Sequence, residues 1–178
     1  VAVFGQNDET GATGPQSNGG DDVSLCKFTL SEAGDVTAMA FYGEKNGSGS
    51  ASVKLVIYAD DGPGIEGGTL LGTTNERTDV DSTRQWWAFT FASPVSLAAG
   101  DYWLGWINDS TINYFYNSGA ANQRYSVADT YSDGPADPCN SGGGYNAREK
   151  CVYATYTPAG GGLSIPVAQH HRQQQKAA

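Results

Sequence analysis

The sequence predicts an all-β fold, a single antiparallel β-sandwich with an extended N-terminal leader and a C-terminal arm. Charged residues make up only 16% of the 178 residues while glycine alone contributes 24, a composition suited to strands separated by tight turns. Apolar residues recur with a period of two in several runs of strand length. All four tryptophans lie within Trp86–Ile107, WWAFTFASPVSLAAGDYWLGWI, two short runs joined by a Pro-to-Gly corner that read as a strand pair at the centre of the sandwich. The length fits one domain, divided into a first strand and leader at 1–22, the sandwich at 23–157 and a Gly-linked arm at 158–178.

In chain order, Val1–Phe4 forms a short first strand. Residues 5–22 have no apolar period and many breakers, so they are expected as a long loop whose order would need a partner. Val23–Leu30 is the next strand, followed by a turn at Ser31–Asp35. Val36–Tyr42 and Ser52–Ala59 are the clearest strands, joined by GEKNGSGS with Asn46-Gly47 at its tip. In Ser52–Ala59 the face of Val53, Leu55, Ile57 and Ala59 is wholly apolar and the other is mixed, the pattern of a half-buried antiparallel strand. In Val36–Tyr42 the two faces are equally apolar, and the inward one is ambiguous.

The acidic, Gly-rich stretch from Asp60 returns to Leu70-Leu71, and Thr73–Thr83 holds one exposed strand. The strand from Trp86 should end at Pro94, which cannot continue a central ladder, leaving Val95–Leu97 as a short edge segment. From Tyr102 the next strand alternates Tyr102, Leu104 and Trp106 with Trp103, Gly105 and Ile107. Gly105, between two tryptophans, leaves space for a neighbouring ring or backbone. Thr111–Asn117, Arg124–Tyr131 and Cys151–Thr157 complete eight to ten strands, and the connection from Tyr131 to Cys151 is placed at the surface.

The net charge is −9, which argues against nucleic acid as a partner of the body. Residues 1–157 hold 8 Lys/Arg and all 19 Asp/Glu, whereas the arm has only the basic Arg172 and Lys176. No apolar run approaches the roughly 18–20 residues that a membrane-spanning helix needs, so membrane insertion is not expected. No signal-peptide pattern is present at Val1–Phe4. The arm combines the flexible joint PAGGG, the apolar segment Leu163, Ile165, Val167, and a polar end with His170, His171 and Arg172; it is read as a partner-binding arm.

Chemistry finds little support. Both histidines, His170 and His171, lie in the arm, away from any nucleophile they would have to serve, and no HExxH, GxSxG or P-loop pattern occurs. Asp60, Asp61, Glu66, Asp101 and Asp109 would be the carboxylates of a glycosidase, but each sits in or beside a turn, where acids are favoured anyway. The loop from Asp129 fails the calcium-loop pattern at its third and last positions. Three cysteines without CxxC spacing do not make a zinc site. No metal, cofactor or catalytic residue is therefore expected. Cys139 and Cys151 bracket CNSGGGYNAREKC, which a disulfide could close; two free thiols are the alternative, and Cys26 reads as a small core residue. Among the aromatics, Tyr114, Tyr116 and Tyr145 are the candidates for stacking on a glycan, with core packing as the competing role.

The order of features from Phe28 to Trp106 resembles a family of jelly-roll-like β-sandwich domains found in bacteriophage structural proteins and in secreted bacterial multidomain proteins. The shared pattern runs F-T-L-S-E-A-G-x-V-T, V-K-L-V-I-Y-A-D-D-G-P-G, L-L-G and W-W-x-F-x-F-x-x-P-V-x-L-x-A-G-x-Y-W-L-G-W. It covers less than half of the chain, and the leader, the Cys139–Cys151 loop and the arm fall outside it. The resemblance implies a jelly-roll-like sandwich and transfers no catalytic residue. It leads to the expectation of a non-enzymatic virion protein: a capsid decoration or a head or tail surface component. Its partners would be capsid or tail subunits, in a homo-oligomer or larger assembly, held by the terminal segments. The alternative is an extracellular carbohydrate-binding or adhesion module that takes a cell-surface glycan on exposed aromatics.

Overall fold

A computed structural model describes residues 1–62, 64–66 and 68–160, which form two antiparallel sheets packed face to face. The first sheet contains β1 (Ala2–Gly5), β2 (Thr13–Asn18), β4 (Gly34–Lys45), β8 (Gln85–Leu97), β10 (Ile112–Ser118), β13 (Arg148–Lys150) and β14 (Val152–Pro158). The second contains β3 (Asp22–Leu30), β5 (Ala51–Ala59), β6 (Leu70–Thr73), β7 (Arg77–Val80), β9 (Gly100–Asn108), β11 (Arg124–Ala128) and β12 (Gly144–Asn146). The all-β antiparallel sandwich expected from the sequence is the observed fold.

Strand alternation explains the core between the sheets. Cys26, Phe28 and Leu30 of β3, Leu55 and Ile57 of β5, and Leu104 and Trp106 of β9 meet Met39 and Phe41 of β4, Trp87 and Phe89 of β8, and Tyr114 of β10. Phe41 and Trp106 pack across the interface with ring centroids 5.2 Å apart. The ambiguous phase of β4 has a local cause. Its register shifts between Val36 and Ala38 against both β8 and β14, so Val36 joins Met39 and Phe41 in the core despite an odd spacing; one extra residue reverses the face of everything beyond it.

Four expectations are corrected. The tryptophan-rich stretch does not form one central pair: β9 lies between β3 and β5, whereas β8, among the described residues, pairs only with β4 as an edge strand of the opposite sheet. For the same reason Pro94 does not end β8. Thr90 pairs with Ala38 and Val95 with Val36, so the residues from Phe91 to Pro94 leave the ladder and return to it, as an edge position permits. The leader is ordered by its own domain. Thr13–Asn18 pairs with β10, the buried Asn18 donates to Asn108 Oδ1 at 3.1 Å, and Trp86 Nε1 donates to Glu9 at 2.8 Å. Thr73–Thr83 is likewise not a single strand but the end of β6 and the separate β7, with the buried Thr74 between them accepting the Leu55 N–H at 2.9 Å.

The connection after β11 is more than a surface loop. Its short 3₁₀ turn at Tyr131–Asp133 and the residues that follow close over the outer face of the second sheet. Val23, Leu25, Val56, Tyr58, Trp103, Ile107 and Tyr125 are buried there with Tyr131 and Cys139 in a second apolar cluster. Tyr58 Oη donates to Ala136 O and Tyr125 Oη to Asn140 O, both at 2.8 Å, so each ring buries its face and still satisfies its hydroxyl. The mixed face of β5 is thus buried too, and Leu55 to Tyr58 are all inaccessible.

Candidate functional site

Three features stand out: a cleft, a free strand edge and a buried group of cations. The cleft has a volume of about 370 Å³ and is lined by Lys27, Gly64, Glu66, Trp103, Ala121, Asn122 and Tyr145. Tyr145, on β12, is 37% exposed, and its ring meets Trp103 edge-on at 6.4 Å and Tyr125 at 4.8 Å. Trp103 Nε1 donates to Asp60 at 2.7 Å. Asp60 also takes a close salt bridge from Lys27, which has Asp101 3.6 Å away on its other side. A neighbouring pocket of about 230 Å³ shares Lys27, Ala121 and Asn122.

Of the aromatics singled out in the sequence, only Tyr145 is placed to meet a ligand. Tyr114 is a correction: it is fully buried against Trp106, at 5.6 Å, in the core between the sheets. Tyr116 is half-buried and packs on the same core beneath the Arg148 guanidinium, 4.6 Å from its ring. For Cys139 and Cys151, where a disulfide and two free thiols were both open, the structure has no bond. They are free thiols, Cys139 in the cluster over the second sheet and Cys151 against the leader at Asp8. Burial pushes each thiol up to about 12 and Cys26 up to about 11, the inert kind. Leu163, Ile165, Val167, His170, His171 and Arg172 lie outside the described residues.

The candidate carboxylates have structural roles. Asp61 accepts from the Thr69 N–H and hydroxyl at 3.1 and 2.7 Å, and Asp109 accepts from the Ser52 N–H at 2.9 Å. Asp101 accepts from Thr29 at 2.6 Å. Glu66 alone faces the cleft without such a bond.

The strand edge belongs to β1, which among the described residues is bonded to one strand only, β14. Val3 on this strand is 42% exposed, and the run from Val1 to Asn7 contains no charged side chain. Edges are kept from pairing by short strands, charge, proline and bulges; β1 is short, at 4 residues, but has none of the other three.

Sequence reasoning missed the third feature. Lys150 is fully buried between the sheets, its ammonium hydrogen-bonded to Ser24 Oγ and 4.4 and 4.9 Å from the ring centres of Trp106 and Tyr114. Arg148 Nη1 donates to Tyr114 Oη at 3.3 Å, and the Arg124 guanidinium lies 5.8 Å from the Tyr114 ring. Three cations therefore meet around one tyrosine. Every Asp and Glu of the chain is among the described residues, yet none forms a salt bridge with these three, while Lys54, Arg77 and Arg84 each have one and Lys27 has two. Burial, and then the Arg124 charge, lower the Lys150 pKa well below its usual range. A desolvated cation–π contact is worth about 2 kcal/mol, against several kcal/mol for burying an ammonium, so the two rings offset only part of the cost. The available signal was the run Arg148-Glu149-Lys150, whose strand alternation puts both cations on one face.

No family model matches the chain, and no curated protein matches it.

Proposed function

We propose that this chain is a non-enzymatic structural protein of a virion, a capsid decoration or a head or tail surface component, joined to neighbouring subunits through its terminal segments. The supporting observation is the free, uncharged edge of β1 with Val3 exposed on it. A strand added there from a neighbour would satisfy the open backbone groups and cover Val3. The outer face of the second sheet is covered by the chain's own connection after β11, which suits a structural subunit.

A lysine at position 3 should leave the fold intact, because the side chain is partly exposed, but place a charge in the new ladder. Val3→Lys is expected to weaken association by about tenfold, read by sedimentation of the purified protein and by its recovery in assembled particles. Removal of residues 161–178, which carry the apolar segment and the basic end, should have the same effect. Unchanged recovery of both variants overturns the reading.

The cleft at Tyr145 favours a second reading, a carbohydrate-binding module. An exposed tyrosine beside Trp103, with Glu66, Lys27 and Asn122 on the walls, offers a stacking face and polar groups for hydroxyls. Tyr145→Ala should then reduce signal on a glycan array by about tenfold, and an array blank with the unaltered protein rejects this reading.

A further inference from the structure

We propose that the interior edge between β10–β13 and β3–β11 is a binding site for a small dianionic oxyanion of the sulfate or phosphate class, held by Arg124, Arg148 and Lys150. The donors are in place. Among the described residues, Arg124 Nε and Trp106 Nε1 are buried with no hydrogen-bond partner, and the Lys150 ammonium has only Ser24 Oγ as a polar acceptor. Two guanidinium groups present planar forks that match oxyanion geometry, and an ammonium adds a point charge. Asn146, the register partner of Arg124 on β12, has a buried and equally unpartnered amide oxygen; turning that amide over presents its NH₂ instead.

The charge balance points the same way. A chain of net charge −9 has carboxylates to spare, yet it leaves these three cations without an ion pair among the described residues. Asp22 on β3 is the acid near enough to act on both Arg124 and Lys150, and it makes no salt bridge with either. The other groups facing Lys150 are Ser24 and Cys26 from β3, Trp106 from β9, Tyr114 from β10, Arg124 from β11 and Arg148 from its own strand. None supplies a negative charge, apart from the thiolate of Cys26, which burial disfavours. Two positive charges beyond what one carboxylate would neutralise select a dianion over acetate. Because Arg148 and Lys150 belong to one sheet and Arg124 to the other, the bound ion would fasten the two sheets together at this edge.

Isothermal titration with sodium sulfate and with sodium phosphate, at ionic strength fixed with sodium chloride, tests the site. Saturable one-to-one binding is expected with at least one of the two, with acetate weaker by about tenfold. Lys150→Met should abolish it. Arg148→Gln, at a half-buried position, should weaken it by about tenfold, and it serves as the second variant if Lys150→Met does not fold. Absence of saturable binding at millimolar anion overturns the proposal. So does unchanged affinity in Arg148→Gln with the circular dichroism of the unaltered protein.

Discussion

In anion-free buffer, Lys150→Met is expected to make the protein more stable, by about 1–4 kcal/mol, the range seen when buried ionic groups give way to apolar side chains of similar volume. Methionine keeps the unbranched stem and fills irregular space well, so it retains the packing on Trp106 and Tyr114. The variant loses only the ammonium and its bond to Ser24 Oγ. Ser24 is itself fully buried, and its hydroxyl oxygen is then left without the donor it had in Lys150; this sets the lower end of the range. Urea denaturation of the two proteins reads the difference. A less stable Lys150→Met would show that the ammonium is compensated in the folded chain by something its neighbours on β3, β9, β10, β11 and β13 do not supply.

The pH dependence of the same pair of proteins has a definite sign. The folded Lys150 pKa is depressed, so the unfolded chain binds a proton that the native state does not, from the folded value up to the ordinary value of 10.5. Stability therefore rises with pH through that window, by at most about 1.4 kcal/mol per unit. Buried thiols act in the opposite direction. Cys26 is raised from 9.0 to about 11, so its contribution is complete below pH 9 and is lost as the pH climbs through 11, roughly 3 kcal/mol in all. Cys139 and Cys151, each raised to about 12, extend the decline. The Lys150 slope is thus cleanest below pH 9, where Lys150→Met should be flatter than the unaltered protein; equal slopes would remove Lys150 as its source.

Much of the fold was legible because period-two alternation survives wherever a strand packs one face on the core. β3 and β9 read correctly, and so did the edges of β5. What alternation could not reveal was a second layer. Trp103, Tyr58 and Tyr125 face away from the inter-sheet core, and their cover comes from a Gly- and Pro-rich connection with no period of its own. Position in the sheet was equally hidden: β8 reads as a core strand from its rings, yet it has one partner strand, which is how Pro94 is accommodated. The candidate site was less legible. Tyr145 could be named as an exposed ring, but Tyr114 is indistinguishable from it by composition, and Lys150 resembles any surface lysine until β13 is known to turn that face inward.

Gly105 is where sequence and structure agree most closely, and its replacement should have the larger cost. The residue lies on β9, opposite Leu25 of β3 and Val56 of β5. A Cβ built there would sit 2.0 Å from Ser24 O and 2.8 Å from Leu25 Cα. Both atoms belong to backbone, so no side-chain rotation can relieve the clash, and the two central strands must separate. Their separation would break the β3–β9 ladder in the middle of its nine paired residues and open both apolar clusters at once, since Trp103 and Trp106 flank the position on opposite faces. Overpacking of this kind costs about 1–3 kcal/mol where side chains can yield; with the β3 backbone as the obstacle, Gly105→Ala is expected to exceed about 4 kcal/mol. Thermal unfolding followed by near-ultraviolet circular dichroism, which reports the tryptophans directly, should show a melting temperature lowered by tens of degrees or no cooperative transition. A Gly105→Ala protein that melts within a few degrees of the original would mean that β3 and β9 do not approach each other as closely as this register requires.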